Sequence, residues 1–330
     1  MSIYTGIQGQ NILIVDTDPS NPVEGQIWYN TTSNLLKGAV AAQSTWTSSG
    51  AMNTTGLGGA SAATNAPQTA SLSFGGYINF GSNSAQTEKY NGSSWTPTGS
   101  LNTGRGAIAG LGTQTAAIAV TGQLIGGSRP TTAELFNGAS WTNGPSVGSS
   151  RYGANGCGTN TAGLIAGGYL GGFLNICEKY NGSSWTSTGT MNNARYGGMA
   201  LAGDSTAAIA AGAASPPTGV TESFNGSTWT NTPASLNTNR GGIQGGGTQS
   251  SAFAFGGGTN LNYTEIYNGS SWSSSTNMLT ALGANWGSGT TSAAFASGYP
   301  TSFTPGVANV TQNFTGAVPG TVTTKTLTTS

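Results

Sequence analysis

Side chains able to move protons or hold metals are scarce in this chain. Histidine is absent, and the 330 residues carry nine Asp or Glu and nine Lys or Arg. Without histidine, neither a Ser-His-Asp nor a Cys-His arrangement can form, and zinc sites of the usual kinds lack ligands. Five of the nine acids recur at one position of a repeated phrase: Glu88, Glu134, Glu178, Glu222 and Glu265. Four arginines recur likewise: Arg105, Arg151, Arg195 and Arg240. Paired carboxylates can hydrolyse glycosides, but one acid per repeat reads as a structural device, so no catalytic residue and no enzyme is expected. The natural use of the arginines is to pair with the acids. Leu282 and Gly56 stand where further arginines would, and Gln312 replaces the sixth glutamate. Pairing inside a repeat and pairing to the next repeat both give four complete pairs, and the sequence leaves both open. Asp16 and Asp18 offer the clustered oxygens calcium favours; in a Pro/Asn-rich segment they read as a plain loop. No metal or cofactor is expected. Cys157 and Cys177 read as buried free thiols.

Residues suited to binding are aromatic. Tyr77, Phe80, Tyr169, Phe173, Tyr263, Tyr299 and Phe303 fall in segments of variable length between paired small residues and the recurring Glu or Gln. Variable loops on a regular scaffold are where recognition usually resides. Uncharged aromatic faces suit sugar rings or apolar protein patches better than phosphates. The alternative is that these rings only cover strand ends.

The elements that would hold such loops follow from the repeat. The phrase Glu88-Lys89-Tyr90-Asn91-Gly92-Ser93-Ser94-Trp95-Thr96 returns four times, with Trp141, Trp185, Trp229 and Trp272 at steps of 46, 44, 44 and 43 residues. Asn-Gly between short apolar runs predicts a hairpin with a two-residue type I′ turn, which would pair Glu88 with Trp95 and make Tyr90 its diagonal neighbour. Between hairpins lie two small-residue strands. One follows the arginine. The other ends in a small pair: Gly75-Gly76, Gly126-Gly127, Gly167-Gly168, Ala211-Gly212, Gly256-Gly257 or Ser297-Gly298. Four short strands per 43 to 49 residues is the signature of a propeller blade. The half-phrase at Ser44-Thr45-Trp46-Thr47 complements the one at Thr311-Gln312-Asn313-Phe314. Trp46 is therefore expected beside Phe314, completing a sixth blade.

Paired glycines, a strand bearing Glu-x-Tyr, a turn and then Trp resemble the kelch repeat of six- and seven-bladed propellers, over residues 44 to 316. The resemblance implies an all-β fold: a six-bladed kelch-like β-propeller closed by an N-terminal strand, with an N-terminal extended arm (1–43) and a short C-terminal tail (317–330). Kelch-type propellers serve many functions, so the motif specifies fold more than role. The stretch Pro22 to Lys37 resembles a short module of tailed-bacteriophage tail and fibre proteins. It implies a virion structural protein, the propeller knob of a tail fibre or appendage contacting the host surface, located on the tail or capsid exterior. A capsid decoration or head-fibre protein and a carbohydrate-active enzyme are the alternatives. The arm carries Ile12, Leu13, Ile14, Val15, Ile27, Trp28 and Tyr29, too much apolar surface to leave in water. It is expected to dock on other virion proteins in a multi-copy assembly, with a host glycan or protein as the further partner.

Net charge is zero, with 5% charged residues, which gives no electrostatic footprint for nucleic acid. It also argues against helical bundles and charge-driven disorder. No apolar run approaches a membrane span, and no signal peptide is expected; release by lysis fits that reading.

Overall fold

The computed structural model describes residues 12–20, 22–53, 60–62, 68–79, 82–214, 217–258, 261–300, 310–317 and 322–327. It is all-β, with a single three-residue 3-10 turn at Gln68–Ala70 among the described residues. The chain divides into two compact units, Thr45–Gly316 and the two chain ends together, Met1–Ser44 with Ala317–Ser330.

The larger unit is propeller-like. Its described residues form six four-stranded antiparallel sheets, in each of which the first three strands follow one another along the sheet in chain order, with a small two-stranded hairpin, Tyr77–Asn79 with Ser82–Asn83, between the second and third strands of the first. In chain order the third strands are Thr87–Tyr90, Ala133–Phe136, Cys177–Tyr180, Pro217–Phe224, Thr264–Tyr267 and Val310–Thr315. The first strands run from the short Ala60–Ala62 to Leu282–Gly289 and are rich in Gly and Ala. The first strands of successive sheets adjoin, and that of the sixth adjoins that of the first. Small residues are required there because strands that lie side by side leave no room for larger ones. A Cβ on Gly156 would meet the Gly110 carbonyl oxygen of the preceding sheet at 2.5 Å.

Thr45–Ser49 is the fourth strand of the sixth sheet, with Trp46 opposite Phe314 as expected. Tyr90 lies opposite Trp95, Phe136 opposite Trp141 and Tyr180 opposite Trp185. This corrects the expected hairpin. The register moves by two residues, and the aromatic partners face each other directly, with Tyr90 and Trp95 stacked at 4.7 Å between centroids. The cause is the asparagine side chain. Asn91 Oδ1 accepts the backbone N–H groups of Ser93 and Ser94, at 3.0 and 2.9 Å. A four-residue loop results in which Gly92 alone takes positive φ; a type I′ turn needs positive φ at both central residues. Asn137, Asn181, Asn225 and Asn268 repeat the arrangement.

The small pair also shifts in two repeats: in the fourth sheet it begins at Gly212, one residue after Ala211, and in the second it lies well before Gly126. The residue at φ near +70° in or just after the second strand is Gly75, Gly167, Gly212 and Gly256, and in the second sheet it is Thr121 at φ 61°. Gly126-Gly127 lies farther along that loop, so Thr121-Gly122 is the true counterpart.

Neighbouring sheets are joined by buried apolar faces, such as Leu72 and Phe74 of the first against Ile108, Phe136 and Trp141. They are also joined by indole N–H bonds. Trp141 donates to Thr87 Oγ1 of the preceding sheet at 2.9 Å, Trp272 to Thr221 and Trp46 to Thr264, each at 3.0 Å. Trp95 of the first sheet donates to Thr311 of the sixth at 3.0 Å. Where the repeat substitutes Ala133 and Cys177 for threonine, Trp185 and Trp229 keep a buried indole N–H without an oxygen partner.

In the smaller unit, Leu13–Val15 runs parallel to Ile27–Asn30, which pairs antiparallel with Leu35–Ala41. Val322–Thr326 adds to Leu35–Ala41, so the segments read from sequence as separate arm and tail share one sheet.

Candidate functional site

The recurring charges are internal to single sheets. Arg105 pairs with Glu134 at 2.9 Å, Arg151 with Glu178 at 2.8 Å and Arg195 with Glu222 at 2.7 Å, and Arg240 pairs with Glu265. Each arginine precedes the first strand of the sheet whose third strand bears its glutamate, which settles the choice the sequence left open. All eight side chains are almost fully buried. The glutamates also accept backbone N–H groups from the incoming connection, as Glu134 does from Asn102 at 2.6 Å and Glu222 from Asn192 at 2.6 Å. Burial pushes the Glu222 carboxyl up, but hydrogen bonds from Arg195, Asn193 and the Asn192 amide outweigh it and hold it below its ordinary value. In the sixth sheet a neutral amide does both jobs. Gln312 accepts from Thr280 N at 3.1 Å and donates to Thr280 O at 2.9 Å. The Glu-Arg set therefore fastens connections to sheets.

With those charges locked inside, the residues that break the repeat stand out. Tyr152 and Tyr196 directly follow Arg151 and Arg195, where the second and fifth sheets have Gly106 and Gly241. They meet Tyr169 and Phe173 from the loop between the second and third strands of the third sheet. Ring centroids lie 5.6 Å apart for Tyr152–Tyr169, 5.4 Å for Tyr152–Tyr196, 5.3 Å for Tyr169–Tyr196 and 5.9 Å for Tyr169–Phe173. Paired backbone hydrogen bonds between Tyr152 and Tyr169 fix two of these rings at their Cα atoms. Glycines make the floor: a Cβ on Gly153 would strike the Tyr196 ring at 2.5 Å, and one on Gly106 the Tyr77 ring at 2.2 Å. Tyr77 comes from the corresponding loop of the first sheet, and its hydroxyl donates to Gln123 Oε1 at 3.0 Å.

Arg129, on the loop between the second and third strands of the second sheet, completes the cluster. Its guanidinium lies 4.9 Å from the Tyr152 ring centroid and 5.8 Å from that of Tyr169. Burial pushes the Tyr196 phenol up to about 12, reinforced by the neighbouring Tyr152, Tyr77 and Tyr169. Burial raises Tyr77 as well. The Tyr77 and Tyr196 phenols are thus neutral hydroxyls at physiological pH, able to donate and accept.

Of the aromatic residues singled out from sequence, the structure gathers Tyr77, Tyr169 and Phe173. Tyr263 is exposed in the fifth sheet's loop, apart from this group. Tyr299 lies on the strand Ala293–Pro300; Phe80 and Phe303 lie outside the described residues. Tyr152, Tyr196 and Arg129 were missed. The signal for the two tyrosines was a bulky ring after the repeat arginine where other copies have glycine, and for Arg129 an arginine outside the repeated position.

In the smaller unit, Leu13 and Ile14 are exposed, Ile12, Val15, Ile27 and Tyr29 are half-buried, and Trp28 is fully buried. Trp28 is therefore buried where Leu13 and Ile14 face outward. Its indole donates to Asp18 Oδ1 at 2.9 Å, which also accepts from Asn30, while Lys37 pairs with Oδ2 at 2.6 Å. Those donors occupy the Asp18 carboxylate, and no group of three His, Cys, Asp or Glu fit for a metal occurs among the described residues. Cys157 and Cys177 are buried free thiols on the first and third strands of the third sheet. No described helix is long and apolar enough to cross a membrane.

Comparison with protein-family models and with curated protein sequences found no match to this chain.

Proposed function

We propose that the chain is a non-enzymatic attachment protein of a tailed-phage virion. In this reading the larger unit is a six-bladed kelch-like propeller closed by Thr45–Ser49, displayed as the knob of a tail fibre or similar appendage. The aromatic loops contact the host surface, and the sheet made by the chain ends docks on other virion proteins. The observation that carries the reading is the aromatic cluster: rings from successive sheets converge on one site, while the repeated charges are used internally. The six sheets, the adjoining first strands and the Trp95–Thr311 bond between the first and last sheets support closure. The phage assignment rests on the resemblance of Pro22 to Lys37. Exposed Leu13 and Ile14, on the edge strand of the smaller sheet among the described residues, support docking, since exposed apolar side chains favour contact with another chain.

The test is to label intact particles with an antibody to this chain and image them by electron microscopy. Label at fibre or appendage tips supports the proposal. Label spread over the capsid favours a decoration protein instead, and absence from particles overturns the virion assignment.

A further inference from the structure

Arg129 is the one arginine outside the repeated Glu-Arg set. It makes no ion pair and its side chain makes no hydrogen bond among the described residues, and its Nε is buried without a partner. The other four arginines each have a carboxylate within their own sheet. Arg129 instead rests against Tyr152 and Tyr169, in a cluster containing no Asp or Glu. Attraction between a guanidinium and aromatic faces holds it in place and leaves its N–H edge for a planar acceptor.

We propose that this cluster binds a carboxylate-bearing sugar, a uronic acid residue of an acidic glycan, with Arg129 taking the carboxylate and the rings of Tyr152, Tyr169 and Tyr196 taking the pyranose. This deepens the host-contact reading and rests on it for its biological setting, but not for its chemistry. A half-buried arginine with no internal counter-charge favours an anion, and its fork geometry matches a carboxylate in two parallel hydrogen bonds. Tilted aromatic faces present the apolar surface a pyranose ring needs on one side. The protonated phenols and Gln123 supply neutral donors and acceptors for hydroxyl groups. A phosphate-rich polymer would call for several cations, whereas Arg129 is alone here. An acidic peptide would satisfy the arginine but would leave the set of hydroxyl donors without use.

The experiment uses the full-length purified protein and isothermal titration with three probes. These are a glucuronate-containing oligosaccharide, the same oligosaccharide with its carboxyls methyl-esterified, and a glutamate-rich peptide. The expected result is binding of the free acid, at least tenfold weaker binding of the ester, and no sugar cleavage. Arg129→Ala should weaken the acid at least tenfold and leave the ester unchanged; Arg129→Lys should fall between. Tyr196→Ala should weaken both sugars, with thermal unfolding confirming that each variant is folded. Equal binding of acid and ester, an Arg129→Ala variant that binds as the parent does, tighter binding of the peptide, or no binding of any probe overturns the proposal. Cleavage of the sugar would overturn the non-enzymatic reading. Absence from virions overturns the proposed function yet leaves this binding result standing.

Discussion

Replacing Thr87 by valine isolates the bond that joins two neighbouring sheets. Thr87 is buried, and its Oγ1 accepts the Trp141 indole N–H at 2.9 Å. Valine keeps the branched shape and the strand preference, so packing changes little and the indole N–H is left buried without an acceptor. Such an orphaned donor costs about 1–3 kcal/mol. With an unfolding entropy of about 2.1 cal/mol/K per residue, a unit of this size loses about 2 °C of Tm per kcal/mol, so a fall of about 2–6 °C is expected. The converse change sits two sheets on. Trp229 lacks an oxygen partner where the repeat has Cys177, whose thiol burial pushes up to about 11. Threonine is close to cysteine in volume, so Cys177→Thr should gain about 1 kcal/mol, the net worth of one hydrogen bond. Urea unfolding followed by tryptophan fluorescence reads both, with an unchanged slope as the sign that only stability moved. A Thr87→Val loss below about 0.3 kcal/mol, within the range of an ordinary surface substitution, would refute the idea that these bonds hold sheets together. So would a destabilised Cys177→Thr protein with normal packing.

Four further outcomes are expected. Thr121 holds φ 61°, where its counterparts are glycine, and its hydroxyl is buried without a partner; Thr121→Gly should raise stability by about 1 kcal/mol through relief of left-handed strain, read by the shift in urea midpoint. Gln312→Glu places a carboxylate against the Thr280 carbonyl that Gln312 now donates to, at a cost of about 3 kcal/mol at pH 7. Its folded-state pKa should rise, so the deficit should shrink below about pH 4 and grow as pH rises, measured by unfolding at both pH values. Asp18 is lowered from 3.8 to about 2 by the hydrogen bond from Lys37, then those from Trp28 and Asn30. Its contribution should be fully present above its ordinary pKa and disappear as pH falls through about 2, and carboxyl NMR titration should show the depressed midpoint, moved back toward 3.8 in Lys37→Met, where only the Trp28 and Asn30 hydrogen bonds remain. Finally, Leu13→Ser with Ile14→Ser should leave thermal unfolding nearly unchanged, because both side chains are exposed, while sharply reducing incorporation into particles on quantitative blotting.

The repeated phrase was enough to read an all-β chain of four-stranded sheets and the pairing of Trp46 with Phe314 across nearly the whole sequence. Period and hydrophobic alternation are local properties that recur in every copy, so they survive in one dimension. The turn was misread because dipeptide chemistry suggested a two-residue loop, and the Asn91 carboxamide captured two backbone N–H groups two and three residues on. The partner of each arginine was beyond the sequence, since two pairings satisfied the same count and only the path of each connection distinguishes them. The binding cluster was half legible. Tyr77, Tyr169 and Phe173 announced themselves as aromatics on variable loops. Tyr152, Tyr196 and Arg129 join them through loops of different sheets, and of the arm's apolar residues Trp28 is fully buried. Which side chains converge depends on how strands from separate repeats pack side by side, a distance set by glycines such as Gly106 and Gly153 on which the rings lie. The sequence carries the repeat because each copy folds by the same local rules. Only the packed structure shows where departures from the repeat meet.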